Sequence, residues 1–426
     1  MAKKIKCLWL CNIMPLFVAK SLGKDGTNKE GWIAGMAAVV SDHDDMELAF
    51  AFPYTESVEG TADGMNYYGF VSDSTHPENY DAKLELQLSQ ICSKYNPDVI
   101  HCFGTEYPHT LALLKNDALA SKAVIHLQGI MELYADAYYS GLPDYVINRR
   151  TFRDWLRHDS IKEQKAKYIS RASFEKEVLR LAKNVCGRTD FDRDYAMSVN
   201  SSIQYYKLGE TLRPQFYEGE WKPDNAKPRS IFVSQGNYPL KGVHFAIEAV
   251  GKLKDKYPNI KLYVSGDNIT RFATLKDKIK ISSYGKYLLE LIKKYKLRDN
   301  VFFVGQKDAD SMKTLFLESS LFLVPSRLEN SPNSLGEAML LGVPCVSARV
   351  GGIPSMASDE EVIMYDWDNA SMLADSIDRL FGSNDEAAKL GQKGRERGQK
   401  NHGREDNYNA MLEMYKSVAQ ASVDNN

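Results

Sequence analysis

Short, β-prone apolar runs alternate with amphipathic helical stretches along the first half of the chain. Buried strands that are separated by crossover helices form a parallel sheet covered on both faces. The first half is therefore predicted to be α/β. The segments that show this alternation are 5–11, 32–40, 47–52, 81–95, 99–102 and 123–127.

The same alternation restarts at Ser230 and predicts a second doubly wound unit. Strands are predicted at 231–234, 261–265, 301–304, 321–324, 345–348 and 362–365, with helices at 242–257, 286–297 and 311–319.

Residues 207–229 separate the two halves. This stretch contains Pro214, Pro223 and Pro228 and has no sustained periodicity, which is typical of a linker. The predicted domains are 1–206 and 230–404, followed by a helix over 405–426 that crosses back to the first domain. A length of 426 residues agrees with two domains, because single cores stop growing at about 250 to 300 residues. Open parallel sheets bind ligands outside the carboxyl ends of their strands, so two such units facing each other predict a site in the cleft between them.

The charge balance excludes a strongly basic nucleic-acid binder. The chain has 54 Lys and Arg against 56 Asp and Glu, a formal net charge of −2. A protein that neutralises phosphates needs a cationic surplus. No nucleic-acid partner is expected.

The cysteines and the N-terminus favour a cytoplasmic protein. The six cysteines form no CxxC pair, which indicates a reducing compartment. Lys3, Lys4 and Lys6 before an apolar run imitate a secretory signal, but Asn12 and Pro15 interrupt that run. A buried first strand is the preferred interpretation. No apolar stretch elsewhere is long enough to span a bilayer.

Residues 144–183 are helical by pattern and rich in Arg and Lys, interleaved with Phe152, Trp155, Leu156, Tyr168 and Ile169. Such a segment is suited to the surface of an anionic membrane. A solvated helical face with snorkelling basic side chains explains the same pattern. Peripheral contact at the inner face of the membrane therefore remains open.

The most informative stretch is VPSRLENSPNSLGEAMLLGVPCVSARVGGIPSM, residues 324–356. The spacing from Ser334 to Glu337 fits a capping box, and Gly342 with Pro344 fits a helix end. The start of a helix presents unpaired N–H groups that suit a diphosphate. Carboxylates beside such a site would repel phosphates, so Glu329 and Glu337 are interpreted as acceptors for sugar and ribose hydroxyls. The backbone of 331–336, with Asn333, Ser334 and Leu335, is the predicted anion site.

Residues 329–352 resemble the signature of the family 4 glycosyltransferases, which are retaining enzymes of the GT-B fold. That signature is a Glu, seven residues and a second Glu, followed by EAM-x-x-G-x-P-x-V-x-x-x-x-G-G. The resemblance implies that Glu329 contacts the donor sugar and that Glu337 contacts the ribose. It also implies a nucleoside diphosphate sugar as co-substrate, with no cofactor.

Other positions follow the same family in order along the chain. Lys241 in GNYPLKG looks like its phosphate-binding lysine, and Gly266 and Gly305 look like the glycines that end two strands. Family members commonly have an Arg five residues before this lysine, where this chain has Gly236. Arg188 is a candidate to supply the missing cation.

In the first domain, Gly31 resembles the glycine loop at the donor phosphates, although the usual Gly-Gly is Glu30-Gly31 here. His101 and His126 both follow strand patterns, and His126 resembles the family's histidine near the reacting sugar carbon. The segment GETLRPQFY resembles the linker of a subgroup associated with surface polysaccharides. The acceptor face is expected in loops 12–30, 104–110 and 129–145.

The resemblance thus implies transfer of a hexose or N-acetylhexosamine from a donor such as a UDP-sugar to a glycan, lipid-linked or small-molecule acceptor. Two alternatives remain. One is a nucleotide-sugar hydrolase or epimerase on the same fold, with His126 or Glu106 activating water. The other is a non-catalytic sugar-binding protein. The chain lacks GxGxxG, GxxxxGK[ST] and HExxH motifs, and its scattered DxD strings are attributed to chance, so no required metal is expected.

Overall fold

A computed structural model describes residues 4–24 and 31–424 of the protein, with side chains described through residue 422. The chain divides into two compact units. The first contains the residues up to Glu132, the segment Tyr168–Arg213, and the residues from His402 onward. The second contains Leu133–Lys167 and Pro214–Asn401.

These units differ from the predicted domains at two places. The predicted first domain included residues 133–167, which the structure groups with the second unit. The predicted second domain ended at residue 404, whereas the structure assigns the chain from His402 onward to the first unit. Hydrogen bonds explain the first difference. Asp154 accepts from the backbone N–H of Ser283 at 3.0 Å, and Arg149 donates to Glu290 at 3.1 Å.

The first unit contains an eight-stranded sheet in the order β3-β4-β2-β1-β5-β6-β7-β8. All neighbouring strands are parallel except β3, which forms an antiparallel pair with β4. The strands are β1 Ile5–Leu10, β2 Met46–Tyr54, β3 Val58–Ala62, β4 Met65–Val71, β5 Val99–Phe103, β6 Ala123–His126, β7 Asn184–Gly187 and β8 Gln204–Lys207.

The second unit contains a six-stranded sheet, parallel throughout, in the order β11-β10-β9-β12-β13-β14. Together the two sheets confirm the predicted pair of doubly wound α/β units. The strands are β9 Lys227–Val233, β10 Lys261–Ser265, β11 Val301–Gly305, β12 Ser319–Val324, β13 Cys345–Ala348 and β14 Ile363–Tyr365.

Helices connect the strands and cover the sheets. Those in the first half are α1 Leu16–Ser21, α2 Gly31–Ser41, α3 Lys83–Tyr95, α4 Pro108–Leu114, α5 Asp117–Ala120, α6 Met131–Ala137, α7 Asp144–Ile147, α8 Phe152–Arg157, α9 Ile161–Leu181 and α10 Asp190–Val199. Those in the second half are α11 Val243–Leu253, α12 Leu275–Lys280, α13 Ser283–Lys294, α14 Ala309–Leu317, α15 Asn333–Leu340, α16 Ile353–Met356, α17 Ala370–Gly382, α18 Asn384–Asn401 and α19 Arg404–Asp424.

The central strands are apolar on both faces, which is why both faces need helices. In the first unit, Trp9 and Phe103 belong to one buried cluster, which also contains Tyr415 of α19. Leu8 and Ile100 belong to a second cluster on the alternate positions of the same strands, together with Leu88 of α3. Across residues 4–24 and 31–424, no helix combines the length and apolar character needed to cross a membrane.

Candidate active site

The carboxyl ends of β9 and β12 lie side by side in the second unit. The two strands are parallel neighbours with Ile231 opposite Leu321, so the segments that follow them leave from the same edge of the sheet. A 3₁₀ turn over Pro239–Lys241 follows β9. The loop containing Glu329 follows β12 and leads into α15. Ligands of open parallel sheets bind at this edge.

The glycine after Lys241 lets the turn approach the loop closely. Gly242 has a φ of +67°, and a Cβ at this position would lie 1.8 Å from the carbonyl oxygen of Pro325. The backbone N–H of Arg327 donates to the carbonyl of Leu240 at 2.8 Å. These contacts hold the turn directly against the loop and so fix the position of Lys241.

Lys241 and Glu329 form an ion pair across this junction. The Lys241 Nζ lies 2.6 Å from Glu329 Oε1, which also accepts a hydrogen bond of 2.6 Å from the Ser326 hydroxyl. Glu329 is only 6% exposed. Burial opposes the charged form of Lys241, but the adjacent Glu329 carboxylate outweighs it, so the pKa of Lys241 is raised above its ordinary value. The lysine is therefore a permanent cation at physiological pH.

Gly351 and Gly352, the glycine pair of the sequence signature, lie against the backbone of Glu329. The backbone N–H of Gly352 donates to the carbonyl of Glu329 at 3.0 Å. Gly351 has a φ of +51°, and a Cβ there would lie 2.0 Å from the same carbonyl oxygen. Only glycine allows this approach without a shift of the backbone.

Helix α15 begins differently from the sequence prediction. Pro332 is its N-cap, and no side chain caps the helix, so the predicted Ser334–Glu337 capping box is wrong. The backbone N–H groups of Leu335 and Gly336 donate to the Pro332 carbonyl at 2.9 and 3.4 Å. Among the described residues, the N–H groups of Asn333 and Ser334 have no recorded acceptor, and Asn333 Oδ1 is buried without a partner. Within the predicted anion site, 331–336, these two N–H groups are the donors at the helix start that could meet an anion, and anion binding there stays a prediction.

The other predicted residues of this unit lie in the same sheet or in α15. Glu337 is buried in α15. Gly305 ends β11, Gly266 follows β10, and the Gly266 N–H donates to the Gly305 carbonyl at 3.1 Å. Both glycines have positive φ. The donor-binding roles of all three residues stay predictions.

Gly236 explains the missing arginine sterically. A Cβ at this position would lie 2.5 Å from Val243 Cγ2 and 2.6 Å from Val264 Cγ1. A larger side chain has no room here in this backbone conformation. An arginine at position 236 would therefore clash with Val243 and Val264.

In the first unit, His126 is the last member of a series of buried aromatic side chains that are linked by hydrogen bonds. The Trp9 indole N–H donates to the Tyr415 hydroxyl at 3.0 Å, and that hydroxyl lies 2.5 Å from His101 Nδ1. His101 Nε2 lies 3.2 Å from His126 Nδ1. All four side chains are fully buried.

Of the two groups that contact the Tyr415 hydroxyl here, only His101 Nδ1 can accept its proton, and this indicates the histidine tautomers. An indole N–H can only donate, so the Tyr415 oxygen accepts from Trp9 and its proton goes to His101 Nδ1. His101 then carries its own proton on Nε2 and donates it to His126, which places the His126 proton on Nε2. Burial lowers the pKa of both histidines, that of His101 to about 3, so both are neutral.

A Tyr415→Phe variant tests this hydrogen-bonded series of side chains. It leaves the His101 ring nitrogen and the Trp9 N–H without their partner in a buried environment, which typically costs about 1 to 3 kcal/mol. Chemical denaturation should show this loss. Tyr206→Phe is the matched control, because Tyr206 contacts Ser417 of the same helix at 3.1 Å on the exposed surface. Equal stabilities of the two variants would contradict the assignment.

Arg188 lies in the first unit beside a buried carboxylate. Its Nη1 donates to Glu210 Oε2 at 2.6 Å, and Gln128 Nε2 donates to Glu210 Oε1 at 3.1 Å. The charge of Arg188 is therefore compensated by Glu210, and its predicted role as a cation for the donor diphosphate gains no support. Gly31 begins α2 and lies close to the Arg213 side chain: a Cβ at this position would be 2.9 Å from Arg213 Cδ. Glu30 lies outside the described residues.

A buried carboxyl near the end of β5 makes stability depend on pH. Burial raises the pKa of Glu175 to about 7, although the Thr105 hydroxyl at 2.6 Å and the Met131 N–H at 2.9 Å stabilise its charged form. The unfolded carboxyl releases its proton near its ordinary pKa of 4.5. Between these values the folded state binds more protons, so stability should fall by roughly 3 kcal/mol as the pH rises from about 4.5 to about 7.

Denaturation at pH 5 and pH 8 measures this effect. A Glu175→Gln variant should lose that part of the pH dependence, and an unchanged slope would contradict the assignment. Burial also raises the pKa of Glu106, the candidate base of the hydrolase alternative.

One group of metal-ligating side chains occurs among the described residues. Ligand atoms of His101, His126 and Cys186 lie within 4.8 Å of one another. In the tautomer indicated above, His101 Nε2 carries a proton and donates to His126, so a metal ion at this atom would have to displace that proton. The expectation that the reaction requires no metal stays a prediction.

Comparison with known proteins decides the class of enzyme. Residues 216–397 match the family model described as "Glycosyl transferases group 1". The protein is a glycosyltransferase. The matched segment contains the Lys241 turn, the Glu329 loop and α15.

Relatives agree with this assignment. The glycosyltransferase is 22% identical over 324 residues to N-acetyl-alpha-D-glucosaminyl L-malate synthase of Bacillus anthracis, with 74% of each chain covered. Its fold matches sucrose-phosphate synthase from Thermosynechococcus elongatus with a TM-score of 0.71 at 16% identity, over 98% of this chain and 100% of the other. It also matches Anabaena Alr3699/HepE, solved with UDP and glucose, with a TM-score of 0.66 at 14% identity, over 97% and 100% of the chains. The predicted GT-B fold is confirmed.

In each unit, one residue that contacts a predicted site residue or its neighbour was missed in the sequence. Ser326 holds Glu329 but lies outside the family signature, so no motif marked it. Tyr415 reaches His101 from a helix 314 positions away along the chain, a contact that only the folded structure shows.

Proposed function

We propose that the protein is a retaining glycosyltransferase of family 4 that transfers a hexose or N-acetylhexosamine from a nucleoside diphosphate sugar. The ion pair between Lys241 and Glu329 at the edge of the second sheet carries this proposal. It places a permanent cation for a diphosphate and a carboxylate for sugar hydroxyls within 2.6 Å of each other. The N–H groups at the start of α15 follow Glu329 by four residues and add donors for the same diphosphate.

These groups favour departure of the diphosphate. Lys241 and the N–H groups of Asn333 and Ser334 would stabilise its developing charge, and preorganised donors of this kind lower the barrier. The acceptor oxygen forms a bond to the anomeric carbon while the bond from that carbon to the diphosphate oxygen breaks. The acceptor proton passes to the departing diphosphate, so attack occurs on the face of departure and the anomeric configuration is retained.

The donor and the acceptor are proposed by class. A UDP-sugar is favoured because the Anabaena structure with this fold holds UDP and glucose. An α-linked product agrees with the name of the Bacillus relative, an N-acetyl-alpha-D-glucosaminyl L-malate synthase. The segment GETLRPQFY supports an acceptor in surface polysaccharide synthesis, either a glycan or a lipid-linked sugar. We place the enzyme in the cytoplasm, with peripheral contact at the inner face of the membrane.

Release of nucleoside diphosphate from a panel of UDP, GDP and ADP sugars tests the proposal. Glu329→Gln should abolish turnover of the preferred donor, and wild-type rates in this variant would disprove the site. Product formation at full rate without any acceptor would favour the hydrolase alternative. Tight donor binding without turnover would favour the sugar-binding alternative. NMR of the product reports the anomeric configuration.

A further inference from the structure

Two short helices of the second unit expose an apolar face. In α8, Phe152, Trp155 and Leu156 follow the i, i+3, i+4 spacing of one helix face. In α12, Leu275 and Ile279 share a face, and Phe272 lies just before the helix. These six side chains are between 45% and 76% exposed. The two helices pack against each other, so their apolar residues belong to one region, here called the α8–α12 surface. Such exposed apolar groups mark an interaction site.

The charge of the α8–α12 surface selects the kind of partner. Residues 150–162 and 271–280 contain eight Lys or Arg and three Asp. The three Asp residues are engaged within the unit. Asp154 and Asp159 bind Arg153 at 3.1 and 2.9 Å, and Asp277 accepts from the backbone N–H of Thr274 at 2.9 Å. Arg150 pairs with Glu163 at 2.7 Å. The remaining exposed charge is cationic, with Arg157, Lys162, Arg271, Lys276, Lys278 and Lys280 at the surface.

A cavity of about 210 Å³ lies next to these helices. Arg153 and Asp154 line it from α8, and Lys280 lines it from α12. Asn237, Tyr238 and Pro239 form another wall, which belongs to the loop before Lys241. The cavity is smaller than the roughly 300 to 1,000 Å³ of pockets that enclose drug-sized ligands, which suits a headgroup better than a whole lipid. Besides these charged groups, hydroxyl and amide side chains line it, among them Asn268 and Ser282, and such a lining suits a polyol.

The cavity adjoins the candidate active site. The Tyr238 ring lines the cavity, and its centroid lies 5.9 Å from Lys241 Nζ. A polar group in the cavity and a diphosphate at Lys241 would therefore be separated by little more than one side chain.

We propose that the α8–α12 surface docks the second unit on an anionic bilayer and that the cavity receives the polar head of a sugar-bearing lipid, the acceptor. The basic residues attract anionic headgroups, and the six apolar side chains enter the boundary between headgroups and acyl chains. Membrane docking is argued from the residues of the α8–α12 surface alone. The assignment of the acceptor to the cavity rests on the proposed function. The α8–α12 surface includes only part of residues 144–183, the segment that the sequence suggested for membrane contact. It also includes α12, which the sequence did not suggest.

Vesicle sedimentation of the full chain tests the docking step. The wild-type protein should bind phosphatidylcholine vesicles containing phosphatidylglycerol at least tenfold more tightly than pure phosphatidylcholine vesicles. A Leu156→Ser/Leu275→Ser variant should lose at least tenfold of this binding. Leu86→Ser is the matched control, because Leu86 on α3 is 65% exposed and Leu156 is 63% exposed. Unchanged binding of the double variant, or no preference of the wild type for anionic vesicles, would overturn the proposal and leave a protein partner as the occupant.

Vesicles of equal charge but different headgroups test whether the cavity receives a lipid headgroup. Phosphatidylinositol and phosphatidylglycerol have the same charge, but only the first has a polyol ring. The wild-type protein should bind phosphatidylinositol vesicles at least threefold more tightly, and Asn268→Phe, which fills the cavity, should remove this preference while keeping phosphatidylglycerol binding. Equal binding of both lipids by the wild type would overturn the headgroup assignment. Neither measurement requires turnover, so a failure here is distinct from a failure of donor turnover.

Discussion

A Lys241→Met variant is expected to turn over the nucleotide-sugar donor about 100 to 1,000 times more slowly than the wild-type protein. The substitution keeps an unbranched side chain of similar length but removes the cation that would stabilise the departing diphosphate. Glu329 retains its hydrogen bond from Ser326, so the loop keeps a partner at 2.6 Å. Nucleoside diphosphate release under saturating donor measures the effect.

Lys227→Met is the matched control for this variant. Lys227 also lies in the second unit and also pairs with a glutamate at 2.6 Å, Glu318, but both side chains are exposed to solvent. An exposed pair contributes about 0 to 1 kcal/mol, and this one is remote from the proposed chemistry. Its rate should equal that of the wild type. Similar rates for Lys241→Met and Lys227→Met would show that Lys241 has no part in turnover.

A Gly242→Ala variant is expected to be less stable by several kcal/mol and to lose most donor turnover. The positive φ alone costs an alanine about 1 to 2 kcal/mol. In addition, the new Cβ would lie 1.8 Å from the Pro325 carbonyl oxygen, so the turn must move away from the loop. That movement breaks the hydrogen bond from Arg327 to Leu240 and displaces Lys241 from Glu329.

Gly64→Ala separates the two contributions. Gly64 has a φ of +77°, and a Cβ there would have no atom within 4 Å, so only the backbone cost applies. Denaturation of both variants should show a clearly larger loss for Gly242→Ala, and only this variant should lose activity. Equal losses of stability would mean that the contact with Pro325 is relieved without displacement of the turn.

Much of the fold could be predicted because its strands are buried on both faces. Runs such as Val99–Phe103 leave little ambiguity, and the structure places a strand there. The hairpin of β3 and β4 was missed, since β3 contains Glu59, Gly60 and Thr61 at exposed positions and has no apolar face to detect. The position of residues 133–167 was also missed. It depends on contacts such as Asp154 with Ser283, which are 129 positions apart in the chain.

The candidate site was partly predictable for a similar reason. Lys241, Glu329 and the glycines at 351 and 352 lie in short local motifs, which can be identified from the sequence without knowledge of the fold. Their mutual contacts depend on the pairing of β9 with β12, which brings together segments about 90 residues apart. The start of α15 was predicted two residues late, because the N-cap is Pro332, which has no capping side chain, and the expected cap was Ser334. The α8–α12 surface required the folded chain, since its two helices are more than 100 residues apart.

A crystal structure of the full chain soaked with UDP tests the central claim most directly. The account predicts that the diphosphate contacts the Lys241 ammonium group and the backbone N–H groups of Asn333 and Ser334, next to Glu329. A diphosphate bound away from the start of α15, with the Lys241–Glu329 pair unchanged, would contradict it.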